Sequence, residues 1–233
     1  TGEFFIISVL SGLWKSIFTG NINHLWNNIS NAYKIEKNMF TTNKLKNFWG
    51  RSWELMSRFT WQLPQTSLGK IVAHGYNSFS HVKKVSHAYG ALVVVTSGMD
   101  DGKAVTLGHI ITGGVNLKAD VGNYLFRHEY GHYLQSQRFG WKYIPTIGIP
   151  SLISASSKEK MPNGLSRHKY RWFEMDANQH SFHYFEKHIE GFDKSNWDND
   201  YPLTKRWRLL DHSIRNSPLY NHNQNSSTMM KGL

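Results

Sequence analysis

The spacing of apolar residues predicts two long helices, one on each side of a central strand region. Residues 3–20 show an amphipathic helical pattern that ends near Gly20. Residues 168–189 show a second and stronger helical pattern. Its apolar or aromatic positions are Trp172, Phe173, Ala177, Phe182 and Phe185.

The region between the first helix and the strands has no clear period. Residues 21–60 mix tryptophans with many asparagines, which indicates irregular structure with short helices. Pro64 is expected to break any helix, because proline lacks the amide hydrogen and clashes with the preceding turn. Residues 67–74 are therefore predicted to form only a short helical turn followed by extended chain.

Three strands are predicted in the middle of the chain. Residues 81–87 are a plausible strand, and the β-branched run at residues 90–96 indicates a buried central strand. An Asp-Gly turn signal then precedes residues 104–112, which are predicted to form the hairpin partner. This arrangement of a small antiparallel or mixed sheet followed by helices predicts an α+β fold.

Composition and charge narrow the classes of function. The chain has 233 residues, no cysteine and a net charge of +11, so disulfides and thiolate ligands are excluded and anionic partners are favoured. The basic residues are scattered, which argues against specific nucleic-acid binding. The apolar stretches at residues 4–18 and 144–155 are interrupted and too short to span a bilayer. Because the first residue is Thr1, we expect a piece of a larger protein.

The chemistry-bearing motif is His128-Glu129-Tyr130-Gly131-His132, an H-E-x-x-H pattern within residues 121–135. On a helix, His128 and His132 lie on one face and can direct two imidazoles at a single ion. Glu129 lies beside them as a candidate general base. Gly131 is a poor helix former, which is easier to explain if another element approaches the helix closely.

A catalytic zinc site needs a third protein ligand in addition to two histidines. The helix at residues 168–189 offers two candidates, Glu174 and Asp176. They point about 200° apart around the helix, so they cannot both serve.

H-E-x-x-H followed by Glu174-Met175-Asp176-Ala177-Asn178 on a second helix resembles the gluzincin branch of the zincin metallopeptidases. The resemblance covers roughly residues 88–190 and implies a zincin-like fold. It implies Zn²⁺ held by His128, His132 and Glu174, with Glu129 as general base. Asn178 takes the place of an Asp that hydrogen-bonds a ligand histidine, and Ala177 matches a small residue where the two helices meet.

The stretch RHEYGHYLQSQ, with RWFEMDAN after it, also resembles the metallopeptidase-like toxin domains at the C-termini of bacterial polymorphic toxins, including Rhs-repeat proteins. This resemblance implies an effector domain that is secreted or translocated from a bacterium as part of a larger protein. It also implies an acidic immunity protein as a partner. The expected organisation is a helical or irregular N-terminal extension (residues 1–60), a zincin-like catalytic domain (residues 61–190), and a C-terminal helix with a disordered tail (residues 191–233).

The expected reaction is hydrolysis of peptide bonds in a protein or peptide substrate by zinc-activated water. The edge strand before the motif helix, assigned to residues 104–112, would hold the substrate extended. The candidates for an oxyanion-stabilising residue are Tyr143, Tyr170, His168, His180 and His183.

Three alternatives remain open at the level of sequence. The first is a non-enzymatic, basic, tryptophan-rich toxin domain that binds membranes or partners and has a structural or vestigial zinc site. The second keeps the zinc chemistry with another substrate, such as a cell-wall peptide amide. The third is a degenerate metallopeptidase fold retained for partner binding.

Overall fold

One four-stranded sheet lies at the centre of the protein. The computed structural model describes residues 2–157, 159–161, 166–192, 197 and 201–203, and within them the fold is α+β, as predicted. The α-helices in these residues are α1 (Gly2–Thr19), α2 (Asn23–Asn38), α3 (Phe48–Phe59), α4 (Leu63–Ser78), α5 (Tyr124–Phe139), α6 (Ile149–Ser156) and α7 (Trp172–His188). The strands are β1 (Val82–Ala88), β2 (Ala91–Thr96), β3 (Ala104–Leu107) and β4 (Ile110–Gly113).

The sheet is mixed, with strand order β1-β2-β4-β3. β1 and β2 are antiparallel, β2 and β4 are parallel, and β3 and β4 form an antiparallel hairpin. The prediction of a single strand over residues 104–112 is therefore wrong. Gly108 has a φ of +65° and lies against Thr66 of α4, and the chain reverses there. As a result β4 enters the interior of the sheet and β3 forms its edge.

Helices cover both faces of the sheet, which explains why β2 is apolar without interruption. Ala91, Val93 and Val95 belong to the core shared with α5 and α7. Leu92 and Val94 belong to a second core, shared with α2 and α4. Every residue of β2 is buried, as expected for a strand with packed helices on both sides.

The N-terminal region is more regular than its composition suggested. The expectation of irregular structure at residues 21–60 is corrected by α2 and α3, which contain 16 and 12 residues. α2 buries Asn28, Ala32 and Ile35 at helical spacing. α3 begins at Asn47, whose side chain accepts a hydrogen bond of 2.9 Å from the amide of Gly50.

Two of these helices are inverted in polarity, with small or polar side chains inward and bulky apolar ones outward. α1 buries Ser8, Gly12 and Ser16, whereas Trp14 and Phe18 are exposed. α3 buries Glu54, Ser57 and Arg58 and exposes its aromatic side chains. In α3 the inward charges pair with each other and with the backbone: Nη2 of Arg58 donates to Oε1 of Glu54 at 2.8 Å and to the Gly90 carbonyl at 2.9 Å.

Proline at residue 64 does not interrupt the fourth helix. α4 runs continuously from Leu63 to Ser78, so the expected short turn at residues 67–74 is wrong. Pro64 lies in the first turn, where its missing amide hydrogen would have no helical partner anyway.

The remaining predicted elements divide into those the structure describes and those it does not. The predicted elements at residues 3–20, 81–87, 90–96 and 168–189 are confirmed as α1, β1, β2 and α7. The predicted C-terminal helix and tail (residues 191–233) lie almost entirely outside the described residues. Among the helices of the described part, none combines the length and apolar character needed to cross a bilayer.

Candidate metal centre

The motif lies on α5, and the residues at the two ends of this helix explain where it begins and ends. Oδ1 of Asn123 accepts a hydrogen bond of 2.9 Å from the amide of Phe126, and the helix ends where Gly140 adopts a φ of +57°. Phe126 and Tyr130 pack into the core on the sheet. The helix is therefore fixed along its length, with its histidines facing α7.

The structure brings together the three residues predicted as ligands. Oε2 of Glu174 lies 3.1 Å from Nε2 of His128 and 3.2 Å from Nε2 of His132. One donor atom from each residue falls within a cluster 4.8 Å across, and such a group could hold a metal ion. Two imidazoles and a carboxylate are a donor set that suits Zn²⁺.

The contact between α5 and α7 depends on the glycine of the motif. A Cβ atom added to Gly131 would lie 2.0 Å from the carbonyl oxygen of Ala177. Any side chain at residue 131 would therefore push α7 and Glu174 away from the histidines. The expectations of close approach at Gly131 and of a small residue at Ala177 are confirmed.

Amide oxygens hold the outer nitrogens of both histidines. Nδ1 of His128 lies 2.8 Å from Oδ1 of Asn178, the contact expected from the resemblance. Nδ1 of His132 lies 2.8 Å from Oε1 of Gln135. An amide oxygen can only accept, so each Nδ1 carries the proton and each Nε2 is directed at the cluster.

Asp176, the alternative third ligand, is not part of the cluster formed by His128, His132 and Glu174. Its Oδ2 accepts a hydrogen bond of 2.7 Å from Nε2 of Gln135, and Gln135 in turn contacts His132. Asp176 thus orients a residue that orients a histidine, whereas Glu174 meets the histidines directly.

The electrostatics of the cluster favour a protonated His132 beside an ionised Glu174 in the absence of a metal. Burial lowers the pKa of His132, but the charge of Glu174 and its hydrogen bond outweigh burial and raise this pKa to about 9. Burial raises the pKa of Glu174, but the charges and hydrogen bonds of His132 and His128 bring it well below its usual value. A bound cation would take the place of that proton.

Glu129 points away from the three ligands' contacts and toward the edge strand. Its Oε2 accepts a hydrogen bond of 2.7 Å from Oγ1 of Thr106, which lies on β3. Glu129, His128, His132 and Glu174 all line one cavity of about 320 Å³. β3 forms one wall of this cavity, and residues of α6 form another. The candidate base therefore lines the same cavity as the three ligands.

The candidates for oxyanion stabilisation separate into two groups. His168 and Tyr143 line the cavity: Nε2 of His168 lies 3.6 Å from Oε1 of Glu174, and the Tyr143 hydroxyl donates to the Thr106 carbonyl. His180 and His183 line a different surface cavity with Arg138, and Tyr170 does not line the cavity of the cluster. Only the first two are placed to act at this site.

Three residues that touch the site were not identified from sequence: Thr106, Gln135 and Ser151. Gln135 follows His132 by three residues, so helical spacing could have revealed it. Ser151 donates a hydrogen bond of 2.6 Å to Oε1 of Glu174, and Thr106 bonds Glu129. Both contacts cross between elements far apart in sequence, and no local pattern signals them.

Comparison with known proteins adds no relative. Neither the protein-family models, nor the curated proteins, nor the solved structures that were searched include a match to this chain. What can be said of its chemistry therefore rests on the geometry of the α5–α7 cluster.

Proposed function

We propose that the protein is a zinc-dependent metallopeptidase of the gluzincin type, with a zincin-like fold. The observation that carries the proposal is the convergence of His128, His132 and Glu174 beside Glu129 in one cavity. A structural zinc site is usually closed by four protein ligands, whereas a catalytic one keeps a position open. Three ligands next to an open cavity favour a catalytic site.

His128, His132 and Glu174 would hold the ion, and Zn²⁺ bound there lowers the pKa of a water molecule and polarises a carbonyl. Glu129 would accept a proton from the attacking water and deliver it to the leaving amine. Thr106 holds one carboxylate oxygen of Glu129 and so fixes its orientation. The other carboxylate oxygen remains for this proton transfer.

An extended peptide is the substrate that this cavity suits best. In the described residues β3 pairs with no strand except β4, so its outer edge offers a further strand the backbone groups other than the Thr106 carbonyl, which accepts from Tyr143. The same strand lines the cavity through Ala104, Val105, Thr106 and Leu107. Pairing of a substrate with this edge would carry its backbone past Glu129 and the ligands.

Metal content and cleavage can be tested together. We expect the purified protein to bind about one Zn²⁺ per chain and to generate new peptide termini in a proteome digest followed by mass spectrometry. Glu129→Gln should keep the metal and lower cleavage by at least about 100-fold. The exposed Glu190→Gln variant is the matched control and should cleave normally. Equal cleavage by Glu129→Gln, or failure to take up Zn²⁺, would refute the proposal.

We also propose, from the sequence resemblance, that this is the effector domain of a secreted bacterial protein and that an acidic immunity protein neutralises it. The net charge of +11 supports an acidic partner. Expression of the wild type in a bacterial host should arrest growth, and Glu129→Gln should not. Equal toxicity of the two would favour the non-enzymatic alternative.

A further inference from the structure

The outward side of α3 is a large exposed aromatic surface. Trp49 is 77% exposed, and Phe48, Trp53 and Met56 are also exposed. Trp49, Trp53 and Met56 follow helical spacing, so they share one face. The opposite face carries the buried Glu54 and Arg58. Ordinary amphipathic helices bury their apolar face and expose their polar face. The exposed apolar face of α3 therefore indicates contact with an apolar environment.

Exposed tryptophans also lie beyond α3, at the end of α5. Trp61 packs on Gly140 at the end of α5, where an added Cβ would lie 2.2 Å from its ring. Trp141 follows Gly140 and is exposed. We call Phe48, Trp49, Trp53, Met56, Trp61 and Trp141 the aromatic face. Tyr143 and Ile144, which line the cavity, follow Trp141 by two and three residues in the chain.

Exposed charges around the aromatic face are basic. Lys44 and Lys142 are exposed, and the Nζ atom of Lys142 lies 5.5 Å from the Trp141 ring centroid. Across residues 37–63 and 136–157 the sequence has one carboxylate, Glu54. Glu54 is fully buried and paired with Arg58 and Lys46. An anionic surface would therefore meet no exposed carboxylate from these two segments.

We propose that the aromatic face binds the surface of a bilayer that contains anionic lipid. Tryptophan is favoured at membrane interfaces because its ring is apolar and its N–H can remain hydrated. Lysine and arginine beside such rings are attracted to anionic headgroups. The binding does not depend on the zinc chemistry.

Vesicle sedimentation of the full chain tests this proposal. The wild type should bind phosphatidylcholine vesicles that contain about one-third phosphatidylglycerol, and at least about tenfold more weakly without it. Trp49→Gln with Trp53→Gln should weaken binding by at least about tenfold. Trp172→Gln removes a tryptophan that is 53% exposed on α7 and should bind as the wild type does. Circular dichroism should show all variants folded, since the replaced side chains are exposed.

Several outcomes would overturn the proposal. Wild-type binding by the Trp49/Trp53 variant would do so, as would wild-type protein that binds neither vesicle. Loss of binding on changing Trp14 and Phe18 of α1, with retention in the Trp49/Trp53 variant, would move the contact to another surface. Sedimentation equilibrium that shows a dimer abolished by the Trp49/Trp53 change would instead assign the face to a second copy. Because Glu129→Gln should bind vesicles normally, this test can succeed or fail independently of the peptidase assay.

Discussion

The substitution Gly131→Ala addresses the contact that assembles the candidate metal centre. The new Cβ atom would lie 2.0 Å from the Ala177 carbonyl oxygen, whereas non-bonded atoms prefer about 3.5 Å. α7 must therefore shift by more than about 1 Å. Alanine contributes about 1 kcal/mol of helix propensity, but overpacking costs about 3 kcal/mol or more. The shift also strains the hydrogen bond of 2.8 Å that Nε2 of Gln135 donates to the Phe173 carbonyl. Such a bond contributes about 1 kcal/mol.

The expected net loss is about 3 kcal/mol in the free energy of unfolding, measured by urea denaturation with a chelator present. Metal ligands tolerate only about 0.2 Å of displacement, so Zn²⁺ affinity should also fall by at least about tenfold in a competition titration. Gly75→Ala on α4 is the matched control, because nothing lies within 4 Å of its Cβ position. It should gain up to about 1 kcal/mol. If the two variants are equally stable, the proposed close contact between α5 and α7 is wrong.

Four other results are expected. Gln135→Leu removes the acceptor for His132 and should lower Zn²⁺ affinity about 10- to 100-fold by competition titration; unchanged affinity would contradict the orienting role. Thr106→Val should slow peptide cleavage with metal content unchanged, whereas Thr106→Ser should preserve the hydrogen bond to Glu129. Adding Zn²⁺ at about 100 times its dissociation constant should raise the free energy of unfolding by about 2.7 kcal/mol, and chelation should reverse this. Burial raises the pKa of Glu36, but hydrogen bonds and charge from its histidine and lysine neighbours outweigh burial and lower it below 4.5. The stability that Glu36 contributes is therefore present above pH 4.5 and lost as pH falls below it, so the difference in unfolding free energy between wild type and Glu36→Gln should shrink on acidification.

The two histidines of the ligand cluster could be predicted from the sequence because they lie close together in it. His128 and His132 are four residues apart, and helical geometry alone places them on one face. Glu174 required a resemblance, since nothing in the spacing fixes which carboxylate of α7 reaches α5. The bonds of Thr106 and Ser151 to the site depend on how β3 and α6 pack, and no single segment encodes that packing.

The errors in the fold have the same origin. The pattern at residues 104–112 is apolar or β-branched except at Gly108 and His109, and the positive φ of Gly108 reveals the turn between β3 and β4. The parallel pairing of β4 with β2 depends on tertiary packing, and a local hairpin signal in the sequence does not predict it. At α4, Pro64 was interpreted as a breaker because its position relative to the helix start was unknown.

The inverted polarity of α1 and α3 has a thermodynamic consequence. Their bulky apolar side chains already face outward, so unfolding these helices exposes little additional apolar surface. Exposure of such surface is the source of the heat-capacity increase on unfolding, usually about 12–15 cal/mol/K per residue. The protein should therefore show a smaller value and a flatter dependence of stability on temperature. Lipid that covers the aromatic face would remove this apolar surface from water. Vesicle binding should therefore show a negative heat-capacity change in calorimetry.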